Sequence, residues 1–207
     1  MTNILFVSTS PRGGDSLSSK VAATLIDRLK AAKPEATVVT RDLGADPLPH
    51  LGPNLLGGFF APAEVQTPEQ KQAIATSDTL VAELKAADIV VIASAMINFS
   101  ITSTLKSWLD HLARSGVTFR YAEDGTPEGL ITGKTVYLVV STGGVYSQAP
   151  TDAFDFQAPY LKHMLGFMGL TDVEIVRVEG SAMGPEAAAK AVTDATEWAH
   201  SVVAQAA

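Results

Sequence analysis

Three short loops carry the residues of this sequence whose types and spacing could do chemistry. Each follows an apolar run of the chain: residues 10–18 (SPRGGDSLS), 95–100 (AMINFS) and 141–146 (STGGVY). Loops at the carboxyl ends of parallel strands are where open α/β sheets bind their ligands. We therefore expect the three loops to form one binding site.

The first loop has the composition of a monophosphate site. Its two glycines are followed by Ser16 and Ser18 at a helix start, where hydroxyls, backbone N–H groups and the helix dipole act together on an anion. The loop lacks the Gly-Lys-Ser/Thr ending of a triphosphate loop and the spaced glycines of a dinucleotide fingerprint. The same residues also fit a plain serine-rich turn in which Ser16 is only the N-cap of the helix.

The second and third loops suit a flat heteroaromatic ring. Met96 and Phe99 can form apolar walls, and the Asn98 amide can both donate and accept a hydrogen bond. Residues 141–144 resemble a nest of backbone donors. In the competing interpretation, the apolar residues of the second loop cap the sheet, one of its polar residues begins the next helix, and the glycine pair of the third loop is a tight turn.

Composition and charge disfavour several other classes of protein. The chain has 22 acidic and 15 basic residues, a net charge of −7, and no basic run, so nucleic acid is not expected as a partner. It has no cysteine and four scattered histidines, so we predict no metal site. A serine hydrolase is disfavoured because no Gly-x-Ser-x-Gly elbow occurs.

No apolar run approaches the ~18 residues that a bilayer span needs, and the amino terminus leads straight into a strand pattern. We therefore expect no membrane partner and a cytoplasmic location.

Apolar runs that alternate with helical patterns predict one α/β domain over residues 1–207. Alternation of this kind is typical of parallel βαβ units. The last run mixes in charge and predicts an edge strand. The five runs are residues 4–7, 37–41, 89–93, 136–140 and 173–178.

Four helices are predicted from apolar spacing and capping signals. Two other segments, 43–66 and 117–134, fit no regular pattern, and the first contains four prolines and four glycines, as binding segments often do. Asp110 and Arg114 are spaced for an i,i+4 ion pair. The first helix begins at Ser16 and ends before Pro34, the second begins at Thr67 with Pro68 and Gln70 completing a capping box, the third carries an apolar stripe from Ile101 to Leu112 and ends at Gly116, and the last begins at Pro185.

The sequence resembles the flavodoxin-like FMN-dependent NADH azoreductases, also described as quinone reductases, over essentially its whole length. The resemblance implies a doubly wound five-stranded parallel sheet of order 2-1-3-4-5 in a three-layer α/β/α arrangement, with FMN at the switch point between the first and third strands. It is carried by residues 96–100 (MINFS), 104–106 (TLK), 108–121 (WLDHLARSGVTFRY), 128–134 (EGLITGK), 141–144 (STGG) and 180–186 (GSAMGPE).

The resemblance also implies particular contacts and a homodimer. Phe60, Tyr121 and Phe167 of one chain become candidates for walls over the flavin of its neighbour, although Phe167 equally suits a core position. The implied cofactor contacts are Ser10, Ser16, Leu17 and Ser18 for the phosphate, and Met96, Ile97, Asn98, Phe99, Ser141, Thr142, Gly143 and Gly144 for the ring.

Two positions depart from the family pattern. Ile97 replaces the usual tyrosine, so a branched aliphatic side chain replaces a flat wall beside the ring. Thr142 stands where the family often has arginine, which removes a cation near the cofactor edge. The departure at Ile97 leaves the substrate preference open, and the departure at Thr142 reduces the expectation that sulfonated azo dyes are substrates.

The implied activity is that of an oxidoreductase with two half-reactions. NADH or NADPH gives a hydride to flavin N5 and leaves, and a quinone or an aromatic azo compound then takes the electrons. No side chain is assigned as a catalytic acid or base. Two alternatives remain open at this stage: a flavodoxin-type electron carrier without a substrate pocket, and a flavin-free regulatory domain on the same fold.

Overall fold

The computed structural model describes residues 1–205, and its centre is a parallel sheet of order β2-β1-β3-β6-β7. β4 and β5 form a separate antiparallel hairpin, so β6 and β7 are the fourth and fifth strands of the central sheet. The predicted strand order 2-1-3-4-5 is therefore confirmed. Residues 206–207 of the predicted domain lie outside the described residues. The strands are β1 (Asn3–Ser8), β2 (Thr37–Asp42), β3 (Ile89–Ala95), β4 (Phe119–Tyr121), β5 (Pro127–Gly129), β6 (Thr135–Ser141) and β7 (Asp172–Val178).

In the part of the chain that the structure describes, six α-helices accompany these strands: α1 (Leu17–Ala32), α2 (Pro53–Phe60), α3 (Pro68–Ala86), α4 (Ser103–Leu112), α5 (Ala158–Phe167) and α6 (Pro185–Gln205). The predicted N-cap of α1 at Ser16 and the capping box of α3 at Thr67 are confirmed. Within residues 1–205, none of the helices has both the length and the apolarity that crossing a membrane requires.

The sheet is covered on both faces, which gives the predicted three layers. Successive residues of a strand point to opposite faces, so Val90 and Val91 of β3 belong to different hydrophobic clusters. One cluster joins the sheet to Leu25 of α1 and Ala199 of α6. The other joins it to α3, α4 and α5. This burial explains why β1, β3 and β6 have continuously apolar sequences, whereas β7 at the edge carries charge.

The third predicted helix has different ends from those expected. α4 begins after Thr102, whose side chain accepts a hydrogen bond from the Leu105 N–H, so Ile101 lies before the helix. The helix ends at Leu112, and Gly116 follows in the left-handed region with φ of 75°. The chain between Leu112 and Gly116 has therefore already left the helix.

The predicted ion pair between Asp110 and Arg114 is wrong for the same reason. Arg114 lies past the last residue of α4, so helical spacing no longer applies to it. Its guanidinium pairs with Asp78 of α3 and lies 5.3 Å from the centre of the Phe59 ring of α2. Asp110 pairs instead with Lys106, one turn earlier in α4.

Two helices and the β4–β5 hairpin were not predicted. α2 is only eight residues long and contains two glycines, so its intrinsic helix propensity is poor. Tertiary packing stabilises it, because a Cβ at Gly58 would lie 2.7 Å from Cγ1 of Ile74 in α3. α5 begins where the Asp155 carboxylate accepts the N–H groups of Gln157 and Ala158.

His111 connects α4 to the segment that precedes α2. Its ring is 2% exposed, and Nε2 lies 3.0 Å from the carbonyl oxygen of Pro49. Because a carbonyl can only accept, Nε2 carries the proton. Nδ1 is buried and has no hydrogen-bond partner among the described residues. Burial lowers the pKa of His111, since a charged ring would lose its hydration there.

We expect this histidine to make the protein less stable in mild acid. The folded-state pKa lies below the unfolded value of ~6.5, so the unfolded chain binds the proton first as the pH falls. The free energy of unfolding should decrease below about pH 6.5, with a slope of up to ~1.4 kcal/mol per pH unit from this residue. Measured by urea denaturation, the free energy of unfolding of His111→Gln should lack this decrease with falling pH. His163→Gln, at an exposed position of α5, should retain it. Identical pH profiles for the two variants would contradict the assignment.

Candidate functional site

The three loops meet at the carboxyl edge of the sheet. The Thr9 hydroxyl, beside the first loop, donates to the carbonyl of Ala93 near the end of β3 at 3.0 Å. The Met96 N–H of the second loop donates to the carbonyl of Ser141 at the start of the third loop at 2.8 Å. The structure therefore places all three loops in one continuous region.

The first loop forms a compact cap on α1. Ser16 is the N-cap, and its hydroxyl accepts the Ser19 N–H and lies 3.1 Å from the Ser18 hydroxyl. The Ser10 hydroxyl accepts the N–H of Arg12 at 3.2 Å. These three serines are buried, whereas the stretch 11–15 is exposed. Ser16 is thus the N-cap of α1, as both interpretations of the first loop allow.

A glycine outside the predicted loops shapes this region. A Cβ at Gly44 would lie 2.5 Å from the carbonyl oxygen of Ser10, so only glycine allows the two backbones to approach so closely. Gly44 also lines a cavity of about 220 Å³ with Thr9, Pro11 and Ile97. Sequence reasoning missed it, although Gly44 follows the carboxyl end of β2 as the other loops follow their strands.

The second loop is a tight turn. Ile97 and Ser100 exchange both backbone hydrogen bonds, at 2.9 and 3.1 Å. The two residues between them are left-handed, with φ of 48° at Asn98 and 70° at Phe99. A turn of this type requires positive φ at both central positions. Asparagine adopts such a conformation readily, but phenylalanine does so rarely and at a cost in free energy.

This geometry contradicts the interpretation in which the second loop caps the sheet and begins the next helix. Ile97 is 43% exposed and Phe99 is 49% exposed, so neither is a core residue that caps the sheet. The following helix has Thr102 as its N-cap, so neither Asn98 nor Ser100 begins it. Strained residues held in place by their surroundings are concentrated at functional sites.

The third loop is held from outside by residues 180–182. The carbonyls of Thr142, Gly143 and Gly144 accept the N–H groups of Ser181, Ala182 and Gly180, at 2.9–3.1 Å. Thr142 is 2% exposed, and its hydroxyl donates to the carbonyl of Gly144 at 2.7 Å. The Thr142 side chain therefore stabilises the loop internally.

The predicted wall residues lie together around Phe119. The Phe119 ring centre is 4.4 Å from that of Phe167 and 5.7 Å from that of Tyr121, and Phe119 lines a cavity of about 510 Å³ with Phe60. Phe60 and Tyr121 are exposed, whereas Phe167 also packs against the core, as its alternative interpretation expected. We call Phe60, Phe119, Tyr121 and Phe167 the aromatic cluster.

The aromatic cluster lies at the opposite end of α4 from the second loop. The loop precedes α4, and Phe119 follows it. The 10 residues of α4 span about 15 Å, at ~1.5 Å per residue. Within one chain, the structure therefore does not bring the aromatic cluster and the three loops into one pocket.

Among the described residues, no three His, Asp or Glu side chains are grouped as a metal ion would need. The strand order and the loops at the switch point of the sheet define a flavodoxin-like α/β protein.

Comparison with known proteins identifies the family. The profile described as the flavodoxin-like fold matches residues 2–203. The FMN-dependent NADH:quinone oxidoreductase of Herminiimonas arsenicoxydans is 55% identical over 192 residues, covering 93% of this chain and 94% of that protein. The protein of the same name from Mesorhizobium japonicum is 48% identical over 202 residues, covering 98% and 96%.

Solved structures agree with these relatives. An azoreductase from Bacillus anthracis str. Sterne has a TM-score of 0.90 and 33% identity, and the match covers 98% of this chain and 99% of that one. An FMN-dependent NADH-azoreductase from Bacillus anthracis str. Ames Ancestor, in complex with FMN, has a TM-score of 0.87 and 26% identity, with 98% and 100% covered. The chain belongs to the flavodoxin-like family of FMN-dependent NADH:quinone oxidoreductases.

Proposed function

We propose that this protein is an FMN-dependent oxidoreductase that takes electrons from NADH or NADPH, reduces quinones and cleaves aromatic azo compounds. The observation that carries the proposal is the left-handed turn at Asn98 and Phe99, joined to the third loop by the Met96–Ser141 hydrogen bond at the switch point of the sheet. The relatives named for FMN, NADH and quinone support it, as do the azoreductase structures.

The residues present fit the phosphate of FMN. In a helix, the first N–H groups have no intrahelical partner and favour an anion. The first turn of α1 contains no acidic residue that would oppose one. We propose that Ser10, Ser16, Leu17 and Ser18 hold the phosphate, with movement of residues 11–15 as the ligand enters.

The second and third loops fit the ring. Ile97 and Phe99 provide half-exposed apolar surface. The two hydrogen bonds that close the turn are backbone bonds between Ile97 and Ser100, so the side-chain amide of Asn98 takes no part in them. We propose that Met96, Ile97, Asn98 and Phe99 contact one part of the ring, and that Ser141, Thr142, Gly143 and Gly144 contact another. Because the Thr142 hydroxyl bonds within its own loop, Thr142 would contribute through its backbone.

FMN, when bound, supplies a ring that accepts a hydride from the nicotinamide and passes two electrons to an acceptor. A quinone needs one such cycle to become a hydroquinone, with one hydrogen supplied by the hydride of the nicotinamide and one proton taken up from solvent. Cleavage of an azo bond to two amines consumes four electrons and four protons in total, and therefore needs two catalytic cycles. The task of this chain is to position and enclose the reactants, so no acidic or basic side chain has to be placed at the reacting atoms. A reduced nicotinamide as donor is consistent with the cytoplasmic location, which stays a prediction.

We further propose that the working form is a homodimer. The aromatic cluster lies about 15 Å along α4 from the loops of its own chain, so it can wall a flavin only if that flavin belongs to a second copy. Phe60 is 79% exposed and lines one cavity with the exposed Leu56 and with Phe119. The Phe119 ring in turn contacts Tyr121, which is 60% exposed. Contiguous exposed apolar surface of this kind is typical of a protein interface. The dimer would also cover the flavin edge that an electron carrier leaves open.

Steady turnover separates the enzyme from an electron carrier. We expect the purified protein to be yellow, or to become so with FMN, and to consume NADH or NADPH continuously with benzoquinone as acceptor. The measurement is the nicotinamide absorbance over time, with FMN alone as the control. FMN binding without turnover would favour the carrier, and a protein that stays colourless with added FMN would favour the regulatory domain.

The Asn98 amide should matter for flavin binding. Asn98→Ala removes the amide and also places alanine at φ of 48°, so the dissociation constant for FMN should rise about tenfold or turnover should fall comparably. Asn98→Gly is the matched control, because glycine keeps the left-handed backbone without the amide. Weakening in both variants, measured by quenching of flavin fluorescence, assigns the effect to the amide. Unchanged affinity and rate in both would refute the contact.

Phe60 should be needed for assembly. Because its side chain is 79% exposed, Phe60→Asp should leave the fold of one chain intact while placing a charge in the proposed interface. Sedimentation velocity at micromolar protein should show a dimer for the unaltered protein, a shift toward monomer for Phe60→Asp and no shift for Val39→Asp, a control at an exposed position of edge strand β2. A monomer at every concentration of the unaltered protein would disprove the dimer.

A further inference from the structure

Arg177 of β7 joins two carboxylates from separate parts of the chain. Its Nη2 lies 3.0 Å from Oδ2 of Asp155, and its Nη1 lies 3.4 Å from Oε1 of Glu179. The side chains of Asp155 and Glu179 are 4% and 12% exposed. Charged groups so deeply buried persist only when they are paired and hydrogen-bonded. We call Arg177, Asp155 and Glu179 the Arg177 clasp.

The Asp155 side of the clasp reaches the second loop. The Asp155 carboxylate accepts the N–H groups of Gln157 and Ala158, which fixes the chain just before α5. Within this stretch, the Phe156 N–H donates to the carbonyl of Phe99 at 3.0 Å. The Gln157 amide nitrogen donates to the carbonyl and hydroxyl of Ser94 at 3.1 and 2.9 Å. The segment thus holds both the end of β3 and the tip of the turn.

The Glu179 side reaches the third loop. Its Oε1 accepts the N–H of Tyr146 at 2.8 Å, and its Oε2 accepts the hydroxyl of Ser147. The Tyr146 ring lies edge-on to the Phe99 ring, with centres 6.2 Å apart. On the Asp155 side of the clasp, the ring of the neighbouring residue Phe154 has its centre 6.0 Å from that of the Phe99 ring. Both arms of the clasp therefore converge on Phe99, the residue with the costly left-handed backbone.

We propose that the Arg177 clasp is a positioning device that holds the second and third loops ready for the flavin ring. The inference rests on the proposed function, because it assigns those loops to FMN. No residue of the clasp is placed against the ring, so it acts through Phe99 and Tyr146. In a preformed site nearly every molecule is competent to bind, so the apparent affinity equals the intrinsic one. In a loosened site only a fraction is competent, and the apparent affinity falls by that fraction.

Two substitutions break the clasp in different ways. Arg177→Met removes the charge and keeps an apolar side chain of similar length. Asp155→Asn removes the partner charge but retains an oxygen that can accept the N–H groups of Gln157 and Ala158. Arg41→Met is the matched control, because the Arg41–Glu83 pair between β2 and α3 is comparably buried, with Arg41 31% exposed against 28% for Arg177.

Hydrogen exchange of the FMN-free full-length chain tests the clasp directly. Peptides that cover residues 96–101 and 143–158 should exchange about tenfold faster in Arg177→Met than in the unaltered protein, as expected for loss of ~1.4 kcal/mol of local stability. The same peptides should be unchanged in Arg41→Met. Unchanged exchange at both peptides in Arg177→Met and in Asp155→Asn would overturn the proposal.

Flavin titration tests the role of the clasp at the site. The dissociation constant for FMN should rise about tenfold in Arg177→Met, stay within about twofold in Arg41→Met, and recover partly in Arg177→Lys. The dissociation constant of the double variant Asp155→Asn/Arg177→Met should lie within about twofold of that of Arg177→Met, because both changes break the same Arg177–Asp155 ion pair. Multiplicative effects of the two changes would overturn the proposal.

The two proposals fail in distinguishable ways. Faster exchange at both peptides with unaltered FMN affinity would overturn the positioning role while leaving the oxidoreductase intact. If the unaltered protein binds no FMN, the proposed function fails, and the clasp loses its role at a flavin site whatever its effect on exchange.

Discussion

The parallel pairing of β3 with β1 on one side and β6 on the other determines where the three candidate loops lie. Because the three strands run in one direction, the loops that leave them emerge at the same edge. Helices on both faces bury these strands, so the loops are anchored to the hydrophobic core. The strand pairing thus brings the loops to one edge, and side chains such as Thr9, Gln157 and Glu179 then hold them in place.

The sheet was predictable because its determinants are local. Continuous apolar runs mark strands buried on both faces, and the cap residues Ser16 and Thr67 mark helix starts by hydrogen bonds that close within four residues. The missed elements depend on contacts distant in sequence. α2 is stabilised by packing on Ile74, and the cap of α5 belongs to a carboxylate that is fixed by Arg177 of another strand. The spacing of apolar residues within a short segment cannot indicate contacts of this kind.

The candidate site was predictable as a set of loops but not in its geometry. The sequence and its resemblance to a known family indicate the residues, yet nothing in the letters AMINFS indicates that a phenylalanine adopts φ of 70°. That conformation depends on Phe156, Tyr146 and Phe154, all about fifty residues away. Thr142 shows the converse case. Its position near the site was expected, but its hydroxyl turns inward because Gly144 offers an acceptor at 2.7 Å.

The polypeptide backbone defines much of this loop region, and this has a consequence for how the enzyme can diversify. The turn between Ile97 and Ser100 and the glycine loop at residues 142–144 are both closed by main-chain hydrogen bonds that a substitution at Ile97 does not remove. Ile97 projects from such a framework without maintaining it. On the proposed function, replacement of the Ile97 side chain should therefore change which acceptors are tolerated, while the main-chain bonds that close the loops stay in place.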